Sequence, residues 1–190
     1  MIFKRIYRKF RYFVEIKIKH KDSMELQIEQ YRKAGMHIGE RCKIYSCLST
    51  RRDCSLLTIG NNVTISGNVT LLLHDNAPIK VSKGEYTDIL GKIEIGDNCF
   101  IGHSTVILPG VHIADNTIIG AGSVVTRSIE EPGWVLAGNP AKIVCTAEQY
   151  AEKNKQYFVN LDNKTHEDIR RFSEENKHCL LYTSDAADDK

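Results

Sequence analysis

Seven histidines supply the imidazoles that could move a proton in this chain of 190 residues, and their positions divide them. His20, His37, His166 and His178 lie in or beside segments with helical signals. His74, His103 and His112 lie in a central stretch with a different pattern. His74 closes the apolar run Leu71-Leu72-Leu73 and opens the polar stretch His74-Asp75-Asn76. An imidazole is the side chain best suited to taking a proton near neutral pH, although a lone histidine after an apolar run reads first as a structural residue. The six cysteines, Cys42, Cys47, Cys54, Cys99, Cys145 and Cys179, form no CxxC pair. A zinc ribbon or thioredoxin-type site is therefore excluded, and free thiols in a cytoplasmic protein are expected.

The elements that position these side chains follow from a period of six. Stepping by six, aliphatic residues stand at Ile59, Ile65, Leu71, Ile95, Ile101, Ile107, Ile113, Ile119 and Val125. Four residues after seven of them comes a small or β-branched one: Val63, Val69, Cys99, Thr105, Val111, Thr117, Ser123. A helix repeats at 3.6 residues and a β-meander needs longer strands with hairpins, so neither satisfies a hexad. A parallel β-helix does: the aliphatic residue points inward from each face of a prism, the small one fits near a corner, and Gly or Asn turns the chain. Three hexads make one coil. The coil is expected over 36–144, with Ile38 and Ile44 as weak first rungs and Ala137 to Ile143 as the last. From Asp75 to Lys92 the pattern fails, since Ala77 and Lys83 replace large apolar residues. The break spans one coil's length and predicts a loop extruded over the side of a coil, where function tends to sit.

On these repeats, on His74 at the edge of the loop and on the run Ile95-Gly96-Asp97-Asn98-Cys99-Phe100-Ile101-Gly102-His103, the chain resembles the hexapeptide-repeat acyltransferases, and among them the sugar O-acetyltransferases. The resemblance implies an all-β, left-handed parallel β-helix flanked by helices. It also implies a homotrimer with sites between subunits, and acetyl-coenzyme A as donor without a metal. It makes His74 the general base. A sugar hydroxyl attacks a thioester at neutral pH only when a positioned base takes its proton, and backbone N–H groups can stabilise the resulting oxyanion. No acyl-enzyme is needed, and Cys99 at a corner position reads as packing. Asp75 would point to the opposite strand face from His74, so the residue that orients the imidazole stays open, with Glu85 and Asp88 as candidates.

The same resemblance assigns Gly120 to Arg127 and Ala137 to Lys142 to the cofactor. Backbone groups at His103 and Ala121 would bind the pantetheine arm, and Thr126, Arg127 and Lys142 would lie by the nucleotide, where cations meet phosphates. Phe100 stands where relatives often have Trp, and Cys145 where some have a further arginine, which implies weaker phosphate binding. Acceptor recognition does not carry over. Its polar positions would fall between Tyr45 and Ser55, where Arg51, Arg52 and Asp53 are possible contacts but an ordinary polar loop is the preferred reading. The alternatives are N-acetylation of a nucleotide-linked amino sugar, a zinc site, disfavoured by the nine-residue spacing of His103 and His112, and a scaffold without catalysis.

The ends carry helical signals. Residues 1–35 form a basic helical segment. Residues 1 to 21 hold eight Lys or Arg and one acid, leaving eighteen basic against twenty-three acidic residues elsewhere. Phe3, Tyr7, Phe10 and Val14 would share one side of a helix, a stripe for a subunit contact or for a peripheral contact with an anionic membrane surface. No apolar run is long enough to span a bilayer. Asp22 with Glu25, Thr146 with Gln149 and Thr165 with Asp168 predict helix starts, the last two within a segment 145–178. Residues 179–190 read as a non-native or disordered tail.

Overall fold

The computed structural model describes residues 22–50 and 53–176. The basic stripe at 3–14, Arg51, Arg52 and the tail from 177 lie outside the described residues. Contacts divide the chain after Ala147 into two units.

The first unit begins with α1 (Ser23–Ala34). The Asp22 carboxylate accepts the Met24 N–H at its start, without the reciprocal bond expected of Glu25, and Gly35 ends it at φ +112°. Short strands follow: β1 (His37–Ile38), β2 (Lys43–Ile44), β3 (Leu57–Ile59), β4 (Thr64–Ile65), β5 (Thr70–Leu71) and β6 (His74–Asp75). After α2 (Pro78–Val81) come β7 (Ile89–Leu90), β8 (Ile93–Ile95), β9 (Phe100–Ile101), β10 (Val106–Ile107), β11 (His112–Ile113), β12 (Ile118–Ile119), β13 (Val124–Val125), β14 (Trp134–Ala137) and β15 (Lys142–Thr146).

Successive strands join successive sheets. One face stacks β1, β3, β8 and β11, a second β2, β4, β9, β12 and β14, and a third β5, β10 and β13. All of these ladders are parallel. The hexad aliphatics fill the interior: Ile44, Ile65, Ile101, Ile107, Ile113 and Ile119 are inaccessible to solvent. Each contributes roughly 1.5–3 kcal/mol relative to exposure. The small positions are buried with them, and their hydroxyls are satisfied internally, as where Thr105 and Ser123 donate to the Gly120 carbonyl. One corner is held by a ladder of Asn62, Asn98 and Asn116, all at φ near +57°, whose amides bond in series at 2.7 and 2.8 Å. Asparagine tolerates this left-handed backbone and its side chain bonds to its own copy one coil away.

Both ends of the stack are closed. At the first rung Arg32 of α1 donates to the carbonyls of Ile38 and Gly39, the Tyr31 hydroxyl accepts the Leu48 N–H, and Leu26, Ile28 and Tyr31 are buried. At the other end the structure differs from the expected last rung over Ala137 to Ile143. β14 stacks on β12, then the chain turns back at Gly138 (φ +101°) and β15 runs antiparallel along β14.

The break in the repeat also differs from expectation. Ile59 pairs directly with Ile95, and Leu71 with Ile107, so no coil forms between them. The segment is extruded whole, and an antiparallel pairing of β6 with β7 (His74 opposite Leu90) ties its base. Helical signals were expected only at the chain ends, yet Pro78, whose fixed φ suits a first helical position, opens α2 inside this excursion.

The second unit contains α3 (Ala147–Asn154) from its second residue on, a 3₁₀ turn at Lys155–Tyr157 and α4 (His166–Glu175). Thr165 and Asp168 form the expected capping box at the start of α4.

Candidate active site

His74 is the first residue of β6, at the base of the extruded hairpin, and its Nδ1 lies 2.5 Å from Oδ2 of Asp53. The Asp53 side chain is 13% exposed and that of His74 41%, so the carboxylate is sheltered and the imidazole opens to solvent. Asp53 precedes the 3₁₀ turn Cys54–Leu56 but makes no side-chain cap bond to it, which leaves the carboxylate to His74. A carboxylate only accepts, so Nδ1 carries the hydrogen, and in the neutral ring Nε2 then holds the free lone pair. An imidazole so held can remove a proton from a hydroxyl.

The candidates drawn from the loop do not orient His74. Asp75 accepts the Ala77 N–H and caps the turn into α2, and Glu85 and Asp88 are exposed. Asp53, read from the sequence as a polar-loop residue, takes that position. A signal for it exists. The first coil is three residues longer than the regular coil of 18 from Ile95 to Ile113, so Ile38 and Ile44 stand 21 residues before their partners Ile59 and Ile65. Asp53 stands the same 21 residues before His74.

His103 and Ala121 occupy one corner, between the second and third faces, one coil apart. The Gly122 N–H donates to the His103 carbonyl at 2.8 Å, and a Cβ at Gly102 would come within 2.5 Å of the Ala121 nitrogen. At the equivalent positions of the preceding corner, the N–H groups of Glu40, Asn61 and Asp97 donate to the side chains of Asn61, Asp97 and Asp115. At this corner the N–H groups of His103 and Ala121 donate to no described residue. Both residues are exposed. The His103 ring itself sits beside Asn68, 3.3 Å from its amide.

Arg127 and Lys142 line one groove of about 270 Å³ with Trp134, Glu130 and Glu131. Thr126, next to Arg127, is exposed. Within a single chain the third face separates the His103–Ala121 corner from the His74 edge. His112 lies on the first face, opposite Glu94, so His103 and His112 do not converge. Cys99 is buried, its Sγ–H donates to the Ala114 carbonyl, and burial pushes its pKa up to about 11. Such a thiol is protonated and is no nucleophile. No helix among the described residues is long and apolar enough to cross a membrane.

A three-faced parallel coil built from hexads, with one extruded hairpin, defines the class. The family described as bacterial transferase hexapeptide (six repeats) matches residues 92–127, and the chain belongs to it. It is 36% identical over 144 residues to Protein CapG of Staphylococcus aureus, an alignment covering 72% of this chain and 83% of that protein. In fold it is similar to a hexapeptide-repeat acetyltransferase, VCA0836, from Vibrio cholerae (TM-score 0.54, 19% identity, covering 70% of this chain and 86% of that one). It is likewise similar to the same enzyme complexed with acetyl-coenzyme A (TM-score 0.54, 22% identity, 72% and 83% covered).

Proposed function

We propose that this chain is an acetyl-coenzyme A-dependent O-acetyltransferase acting on a hydroxyl of a sugar or polysaccharide precursor. His74 is the general base and Asp53 its positioning residue. The observation that carries the reading is the His74–Asp53 pair at the base of the extruded hairpin: a base with a free Nε2, its tautomer held from behind. As Nε2 takes the hydroxyl proton, the alkoxide oxygen bonds to the thioester carbon. Collapse of the tetrahedral intermediate breaks the C–S bond, and the proton passes to the departing thiolate.

The free N–H groups of His103 and Ala121 suit the amide carbonyls of a pantetheine arm, and Arg127 with Lys142, beside Thr126, suits the phosphates of a nucleotide. These groups stand at different corners of one chain. A site that uses all of them takes one edge from each of two neighbouring subunits, which supports a homotrimer of left-handed coils. The work would be done in the cytoplasm, with residues 1–21 serving a subunit contact or a peripheral contact with an anionic membrane surface.

The test is release of free coenzyme A thiol from acetyl-coenzyme A in the presence of a panel of sugars and sugar nucleotides, for the wild type and His74→Ala. Release that depends on a hydroxyl acceptor and on His74 is the expected result. Release that requires an amino sugar would give the site to N-acetylation, and release indifferent to His74 would remove the mechanism.

A further inference from the structure

The groove that holds Arg127 and Lys142 is balanced in charge. Its walls come from the end of β13, from the connection to β14 and from the paired strands β14 and β15. Between Val125 and Ile143 the chain has two cations, Arg127 and Lys142, and two carboxylates, Glu130 and Glu131, and all four side chains line this one groove. All four residues are exposed. None of them forms an ion pair with another described residue, so each is left to meet a ligand or water.

The nucleotide end of coenzyme A brings phosphate in two forms, a 5′-diphosphate and a 3′-phosphate. The second is a monoester and carries about −1.5 to −2 charges near neutral pH. Two cations can meet the diphosphate through charge-assisted hydrogen bonds. Once they are so engaged, the unpaired charges left in the groove are those of Glu130 and Glu131. A further phosphate placed there meets two carboxylates and no third cation, and like charges brought together are unfavourable. Water and salt screen exposed groups, so this opposition cancels the gain from the 3′-phosphate without expelling the nucleotide.

We infer that Glu130 and Glu131 set donor specificity by offsetting the 3′-phosphate, so that this protein takes thioesters of 3′-dephospho-coenzyme A about as well as those of coenzyme A. The inference rests on the acetyltransferase reading, which puts the nucleotide at Arg127 and Lys142. It widens the donor class to pantetheine thioesters that end in a nucleoside diphosphate.

The full chain is titrated with coenzyme A and with 3′-dephospho-coenzyme A. Calorimetry gives the two dissociation constants, and the fluorescence of Trp134, the single tryptophan and a wall of the groove, reports where the ligands sit. The constants are expected to differ by less than about tenfold, the factor that one charge-assisted hydrogen bond to the 3′-phosphate would supply. The double variant Glu130→Gln, Glu131→Gln should shift the ratio towards coenzyme A by about threefold or more, the scale of two exposed charge contacts. Glu130→Lys, which supplies a third cation, should shift it the same way. A preference of the wild type for coenzyme A by about tenfold or more would overturn the inference, and so would a ratio that none of these substitutions moves. Binding that leaves Trp134 fluorescence unchanged would overturn it as well. In each of these cases the acetyltransferase stands as long as thioester cleavage depends on His74. If neither ligand binds, the inference and the acetyltransferase reading fall together.

Discussion

Asp53 and His74 are separated by 21 residues, the length of the first coil, so the carboxylate sits one rung below the imidazole at the same edge of the stack. Replacing His74 by Ala should lower kcat by about 10²- to 10⁴-fold and leave acetyl-coenzyme A affinity nearly unchanged, since a base acts in the transition state. Asp53→Asn should lower kcat by about tenfold or more at constant KM, because an amide can hold the wrong tautomer. Asp53→Glu should recover part of the loss. Steady-state kinetics checks all three, and an Asp53→Asn effect on KM alone would make Asp53 an acceptor contact.

Arg127→Ala and Lys142→Ala should raise KM for acetyl-coenzyme A more than they lower kcat. Each removes about 1–3 kcal/mol of charge-assisted contact from the groove they share. A truncated donor without the nucleotide phosphates should be insensitive to both changes. Equal losses with the short donor would assign the two cations to the packing of the β14–β15 hairpin.

The Asp97 carboxylate accepts first from the Asn61 N–H and then from its side-chain amide, and these bonds, with Arg41 nearby, hold its pKa below the usual range. A depressed carboxylate stabilises the fold above its unfolded pKa, about 3.9, and that contribution disappears as pH falls through the lower, folded value. Thermal stability of the wild type should therefore decline on acidification below about pH 4, and Asp97→Asn should show a shallower decline. An identical acid limb in the variant would show that this ladder bond carries none of the dependence.

Deleting residues 1–21 should leave a folded, active protein. The first rung is closed by α1 through Leu26, Ile28, Tyr31 and the Arg32 bonds, all C-terminal to the cut. If the segment is a membrane contact, full-length protein should co-sediment with anionic vesicles, less at high salt, with each basic residue near the surface worth about 1 kcal/mol, and the deletion should not. Loss of assembly on deletion would assign the segment to a subunit contact instead.

The hexad was legible because its cause is local. An inward aliphatic every sixth residue and a left-handed corner after each strand are demands that one coil makes on its own residues, so Ile59 to Val125 display the three faces before any contact is known. Corner chemistry was legible for the same reason in Asn62, Asn98 and Asn116, and the cap at Thr165 needs only its own first turn. What the sequence left open depends on which residues become neighbours across coils. Two of the departures from an 18-residue coil set the neighbours of His74: three extra residues in the first turn, and a segment that looked like a replaced side of a coil but leaves the stack entirely. The first places Asp53 against His74, and the second lets Ile59 pair with Ile95 while β6 and β7 close the hairpin that carries the imidazole. The same holds at the top, where the turn at Gly138 sends β15 back along β14 and brings Lys142 to the groove of Arg127. Periodicity is written in the side chains one at a time, whereas register between rungs is settled only when the backbone hydrogen bonds of one coil find those of the next.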